Sequence, residues 1–229
     1  MTQKLWQASS KQKKNSILFS FEKYISKKFN KNFSGDYQKL LNWSIKNSPE
    51  FWSSFWDFTK IKGIKSDKKI KKSKIFYKNL FLPNSKLNFG ENLLSKNNSE
   101  KAITFISENN FREERTWKEL NENTSKIINF FKGRKIKKKD RIAAYLPNTI
   151  ETVEAFIATT SIGAIWSSCS PDFGVNGVVE RFSQINPKVL FITDQYFYNG
   201  KKINVFIFIY MIFLILVFLM YFVYCCSTM

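Results

Sequence analysis

Apolar positions in the first sixty residues recur at helical spacing. Ser16–Phe29 sets Ile17, Leu18, Phe21, Tyr24 and Ile25 among polar residues, and Tyr37–Lys46 does the same with Leu40, Leu41, Trp43 and Ile45. Each pattern predicts an amphipathic helix. Ser48-Pro49-Glu50 predicts the start of a third, with Ser as N-cap, Pro at the first helical position and an acid at the positive end of the helix dipole. Phe51, Trp52, Phe55, Trp56 and Phe58 follow it. That aromatic face reads as core packing of a helical cap rather than a base-stacking platform. Ile61–Lys78 is rich in Lys and without period, so it reads as a solvated loop.

Further on, the period changes. Lys101–Ser107 alternates as a strand, and Phe111–Arg115 reads as its hairpin partner beyond Asn109-Asn110. Thr116-Trp117-Lys118-Glu119 is a capping box, opening a helix through Leu120, Ile127, Ile128 and Phe131 to a C′ glycine at Gly133. From Asp140 the pattern is regular. Arg141–Leu146 predicts a strand, Ile150–Ile162 a helix ended by Gly163, Ala164–Ser168 a strand, Val178–Ile185 a helix, and Lys188–Thr193 an apolar strand. This alternation predicts a parallel sheet covered on both faces. The fold class is therefore α/β: a helical N-terminal cap over residues 1–95, then the first part of a doubly wound parallel sheet over residues 96–204.

Residues 205–224 (VFIFIYMIFLILVFLMYFVY) are all apolar and predict a hydrophobic helix at the end of the chain, in a third segment, 205–225. At about 1.5 Å per residue such a helix would span a bilayer core. Lys201 and Lys202 precede it and nothing basic follows. If it crosses a membrane, residues 1–202 face the cytoplasm and the Cys225-Cys226 pair, otherwise readable as lipid sites, lies on the far side. The N-terminus has no apolar signal region, so the expectation is a cytoplasmic or single-pass membrane protein. A buried core helix is the weaker reading, because such a helix rarely lacks any polar face.

Charge and composition then remove classes of chemistry. The chain of 229 residues carries 37 Lys+Arg against 18 Asp+Glu, with no His. Ser-His-Asp and Cys-His nucleophiles and His-ligated metals are excluded. Three Cys make neither a disulfide framework nor a four-ligand zinc site, and suit a reducing compartment. No GxGxxG or GxxxxGK[ST] loop occurs, and the acids are scattered. No catalytic residue and no metal ligand is therefore nominated. Cys169, with no base to activate it, reads as a small buried hydrophobe. Residues 1–80 hold 19 Lys and 5 acids. Nucleic acid or anionic lipid could meet such a charge, but Lys and Asn are abundant throughout, so compositional bias accounts for it and no nucleic-acid partner is expected.

The residues from Asp140 onward carry a resemblance. Gly163-Ala164-Ile165-Trp166-Ser167-Ser168-Cys169-Ser170-Pro171-Asp172-Phe173-Gly174, with Asp36-Tyr37, Trp43-Ser44, Pro49-Glu50-Phe51-Trp52, Phe55-Trp56-Asp57-Phe58 and Leu87-Asn88-Phe89-Gly90-Glu91-Asn92-Leu93-Leu94, resembles the acyl-adenylate-forming superfamily, in its acetoacetyl-CoA synthetase branch. The resemblance covers about residues 4–204. It implies ATP-dependent ligation of acetoacetate to CoA through an acyl-adenylate, with Mg2+ accompanying ATP. It also implies that the phosphate-holding loop, the ribose-binding Asp and the adenylating Lys are not among these residues. The expectation is an N-terminal piece that is inactive alone and holds none of these cofactors well. One family site falls inside: a basic segment gripping CoA phosphates, which aligns with Tyr198, Asn199, Gly200 and Lys201. Tyr198 stands where the acetyl branch has an Arg, and Lys201 replaces a second Arg. A second CoA-contacting loop aligns with Ser170, Pro171 and Asp172, without that branch's glycines. The alternative expectation is a membrane-anchored, non-catalytic relative that binds CoA or a partner.

Overall fold

The computed structural model describes residues 5–108, 110–206, 210 and 221–225, and divides into two units, 1–87 and 88–229.

The first unit is helical at its start: α1 (Ser10–Lys14), α2 (Ile17–Phe29), α3 (Tyr37–Lys46) and α4 (Ser48–Phe58). Phe21 and Ile25, one turn apart on α2, are buried with Phe33 and Leu40. The Phe21 ring meets those of Phe51, Phe55 and Phe58 at 5.1–5.8 Å. The aromatic run of α4 is thus core packing, as its spacing predicts, with Trp56 buried and Trp52 at the rim. The helix starts one residue earlier than predicted. Asn47 is its N-cap without a side-chain hydrogen bond, which puts Ser48 and Pro49 inside the first turn. The Lys-rich stretch is not plain loop. Four two-residue strands follow, β1 (Gly63–Ile64), β2 (Ile70–Lys71), β3 (Leu80–Phe81) and β4 (Lys86–Leu87), pairing β1 with β4 and β2 with β3 antiparallel. Both ladders are largely exposed, so no buried face imprints an alternation on the sequence.

The second unit opens with α5 (Phe89–Leu93), then the hairpin β5 (Lys101–Ile106) and β6 (Arg112–Thr116), then α6 (Trp117–Gly133). The capping box forms as predicted: Thr116 N–H donates to Glu119 Oε2 at 2.8 Å, and Glu119 N–H donates to Thr116 Oγ1 at 3.2 Å. Next come β7 (Arg141–Tyr145), α7 (Ile150–Ser161), β8 (Ile165–Cys169), α8 (Val175–Ile185), β9 (Val189–Thr193), the hairpin β10 (Gln195–Tyr198) and β11 (Lys201–Asn204), and β12 (Tyr221–Cys225). The sheet order is β12-β9-β7-β8, parallel throughout. Successive residues of β7 and β9 bury on opposite faces, as pleating requires. Ala143, Tyr145, Leu190 and Ile192 pack with Val178 and Phe182 of α8. Ile142, Ala144, Val189 and Phe191 pack with Phe131 of α6 and Ala155 and Ala158 of α7. Both faces are covered, which is why these strands read as unbroken apolar runs.

The end of the apolar tail departs from expectation. Residues 207–209 and 211–220 of the predicted hydrophobic helix lie outside the described residues, as does Cys226 of the cysteine pair. Its end, Tyr221–Cys225, is a strand with Tyr221 opposite Val189 and Cys225 opposite Thr193. The aromatic and β-branched residues there suit a strand, and β9 supplies an edge for their backbone groups. Among the described residues no helix is long and apolar enough to cross a membrane. The membrane-spanning reading of 205–224, and the membrane-anchored alternative built on it, are therefore unsupported.

Candidate coenzyme-binding edge of the parallel sheet

The order β12-β9-β7-β8 means that the chain leaves β7 in one direction and later returns past it in the other. The crossover through α7 lies on one face and that through α8 on the opposite face. Doubly wound sheets bind ligands at the carboxyl ends of the strands where this reversal occurs, here between β7 and β9. Three connections meet that edge: residues 146–149, 170–174 and 194–205.

Tyr145 closes β7 and fixes the second of these. Its buried hydroxyl lies 2.7 Å from the Pro171 carbonyl and 3.0 Å from that of Phe173, and donates to them. Burial, with Tyr196, Asp172 and Cys169 nearby, pushes its pKa up to about 12, so it stays a donor. Cys169, ending β8, is buried and free. Burial pushes its thiol up, opposed by Arg181, and an un-ionised thiol is a poor nucleophile. Ser170, Pro171 and Asp172 lie in this loop, with Pro171 buried and Asp172 exposed. Arg181 caps the loop by resting over the Phe173 ring at 4.4 Å.

The third connection is the hairpin β10–β11. Val205 N–H donates to the Asp194 carbonyl at 2.8 Å and Thr193 Oγ1 to that of Gln195 at 2.9 Å, which seals its base. Tyr196 is buried and Ile203 opposite it packs on the same cluster. At the tip, Asn199 (φ 52) and Gly200 (φ 71) are both left-handed. This pair of conformations makes a two-residue turn whose twist matches the strands, and Asn-Gly is the sequence that adopts it most readily. The four residues predicted from the family alignment are thus one tight turn. Tyr198 pairs with Lys201 across it, both exposed. Lys202, the next residue, points to the other face.

One participant had no signal in the sequence. Glu108, at the turn of the β5–β6 hairpin, accepts a hydrogen bond from Gly200 N–H at 3.0 Å across 92 residues of chain. The turn therefore offers an anion the Lys201 ammonium, the Asn199 side-chain amide and the Tyr198 ring, while the Gly200 amide is already engaged. A lysine meets phosphate as a point charge and not bidentately. The Glu108 carboxylate lies beside these groups, on the Gly200 amide. The sequence has no GxGxxG or GxxxxGK[ST] loop, and among the described residues no group of three His, Cys, Asp or Glu could hold a metal.

Residues 94–205 match the family model described as "AMP-binding enzyme". The chain is 37% identical over 201 residues to an acetoacetyl-coenzyme A synthetase of Rhizobium meliloti (strain 1021), covering 88% of this chain and 31% of that protein. It is 42% identical over 171 residues to the acetoacetyl-CoA synthetase of Xenopus tropicalis, covering 73% of this chain and 25% of that protein. A malonamoyl-CoA synthetase of Penicillium aethiopicum is 33% identical over 205 residues, covering 86% of this chain and 28% of that protein. Among solved structures, acetoacetyl-CoA synthetase from Streptomyces lividans superimposes with a TM-score of 0.89 at 25% identity, covering 97% of this chain and 35% of that one. The chain spans about a third or less of the length of these relatives.

Proposed function

The chain belongs to the AMP-binding enzyme family as a homologue of the acetoacetyl-CoA synthetases, and from that premise we propose that it contributes the coenzyme-facing edge of an acid–CoA ligase. In that reaction the carboxylate of acetoacetate attacks the α-phosphorus of ATP, pyrophosphate leaves, and an acyl-adenylate forms. The sulfur of CoA then attacks the acyl carbon and AMP departs. ATP and Mg2+ supply the activation, and no residue of this chain is assigned to that step.

What this chain's own residues do is hold the coenzyme. Lys201 neutralises a CoA phosphate at the hairpin tip, Asn199 donates to a phosphate oxygen, and the Tyr198 ring offers an apolar face beside it. Tyr145 keeps the 170–174 loop in place at the neighbouring strand end, where Ser170, Pro171 and Asp172 border the same edge. The observation that carries the reading is the hairpin itself. The residues aligned with a coenzyme-gripping segment form one exposed turn at the carboxyl edge of a doubly wound sheet. The acyl group is read from the relatives' names alone, and the malonamoyl-CoA synthetase among them shows that this scaffold accompanies a different acid too.

The purified chain, given ATP, Mg2+, acetoacetate and CoA, is expected to form no acetoacetyl-CoA, because its sequence has no GxGxxG or GxxxxGK[ST] loop to set the ATP phosphates for attack. Turnover by the chain alone would overturn this reading.

A further inference from the structure

The first unit contains a cleft of about 900 Å3, walled by α1, α2 and the loop that enters α3. That is the size of a small-molecule site. Its rim carries Lys13 and Lys14 from α1 and Lys23 from α2, and its apolar wall is Leu18, Phe19 and Tyr37. Leu18 and Tyr37 stay 48% and 59% exposed, so this apolar surface is not consumed by the core.

The charges are unevenly committed. The two acids of the lining serve the backbone: Glu22 Oε1 accepts from Gly35 N–H at 2.8 Å, and Asp36 Oδ1 accepts from the Gln38 and Lys39 amides at 2.8 and 3.3 Å. Lys13, Lys14 and Lys23 form no salt bridge among the described residues, and the Lys23 ammonium lies 4.8 Å from the centre of the Phe19 ring. α1 buries no residue and has no acid in its first turn. Its helical form rests on the Ser9–Gln12 capping box, and Lys13 and Lys14 stay exposed on it.

From this juxtaposition of ammonium groups without a carboxylate partner and an exposed aromatic ring we propose that the cleft binds a nucleoside phosphate, its phosphate held by Lys13, Lys14 and Lys23 and its base laid against Tyr37. Both halves of such a ligand are needed: an inorganic anion uses only the rim, and a nucleoside only the wall.

The test is calorimetric titration of the 229-residue chain with AMP, adenosine and inorganic phosphate. AMP is expected to bind at least about 10-fold more tightly than either of the other two, each discarding half of the contacts. Lys13→Glu/Lys14→Glu/Lys23→Glu, three exposed positions, should weaken AMP by about 10-fold or more, whereas Lys71→Glu/Lys72→Glu/Lys74→Glu, with the same change of net charge, should leave it within about 2-fold. Tyr37→Ala should weaken AMP without affecting phosphate. Equal losses in the two triple variants, phosphate binding as tight as AMP, or no AMP binding at millimolar concentration would each overturn the proposal.

Discussion

At the scale of single residues, two buried polar side chains govern how firmly the second unit is held. Tyr145 is the only link described between the end of β7 and the Pro171 and Phe173 carbonyls. Tyr145→Phe removes its hydroxyl from a buried site and should cost about 1–2 kcal/mol in denaturant unfolding, with faster amide exchange confined to residues 170–174. Glu154 is buried on α7, accepts from Asn123 Nδ2 at 2.9 Å, and lies 3.4 Å from Arg115 Nε, near enough for ion pairing but without hydrogen-bond alignment. Burial raises its pKa, and the Asn123 hydrogen bond and Arg115 only partly oppose that. The folded state thus keeps this proton to higher pH than the unfolded chain does. Stability therefore falls as pH rises from the ordinary glutamate range through the raised value, and is flat above it. Glu154→Gln should abolish that fall, seen as urea midpoints that no longer decrease across the window. An unchanged pH profile in the variant would contradict it.

At the scale of elements, most of what the sequence announces is what burial enforces. The β7–β9 strands, α6 with its capping box and the α4 aromatic face were readable because each has a covered side that constrains residue choice. The two ladders of the first unit were not, because their four strands expose most residues and leave no alternation to read. The β10–β11 hairpin is an intermediate case. Asn199-Gly200 is a strong turn signal, and the alignment marked its residues without revealing that they form a turn. Glu108 was invisible, since no local pattern predicts a partner 92 residues away. In the tail, uniform apolarity conceals the difference between helix and strand, and pairing with β9 decides it for Tyr221–Cys225. Two substitutions test these contacts. A Cβ at Gly90 would collide with Ser161 Oγ and lie 2.8 Å from Ser161 N and 2.9 Å from the Ile157 carbonyl, so Gly90→Ala should cost about 1–3 kcal/mol by prising α5 from α7. Gly200→Ala meets no atom within 4 Å but must adopt φ +71, and should cost about 1 kcal/mol, read as loss of the Gly200–Glu108 hydrogen bond in amide exchange.

At the scale of the whole molecule, the proposal rests on the carboxyl edge of the parallel sheet in the second unit, where the hairpin turn at Asn199-Gly200 sits. The chain aligns with about a quarter to a third of the length of the relatives it matches. The most direct test of the central claim is amide NMR of the chain titrated with CoA, and with pantetheine, which lacks the phosphates. Shifts centred on Tyr198, Asn199, Gly200 and Lys201 with CoA, absent with pantetheine and lost in Lys201→Glu, are the expected result. CoA-dependent shifts that leave those four residues untouched, or that survive Lys201→Glu unchanged, would contradict the account.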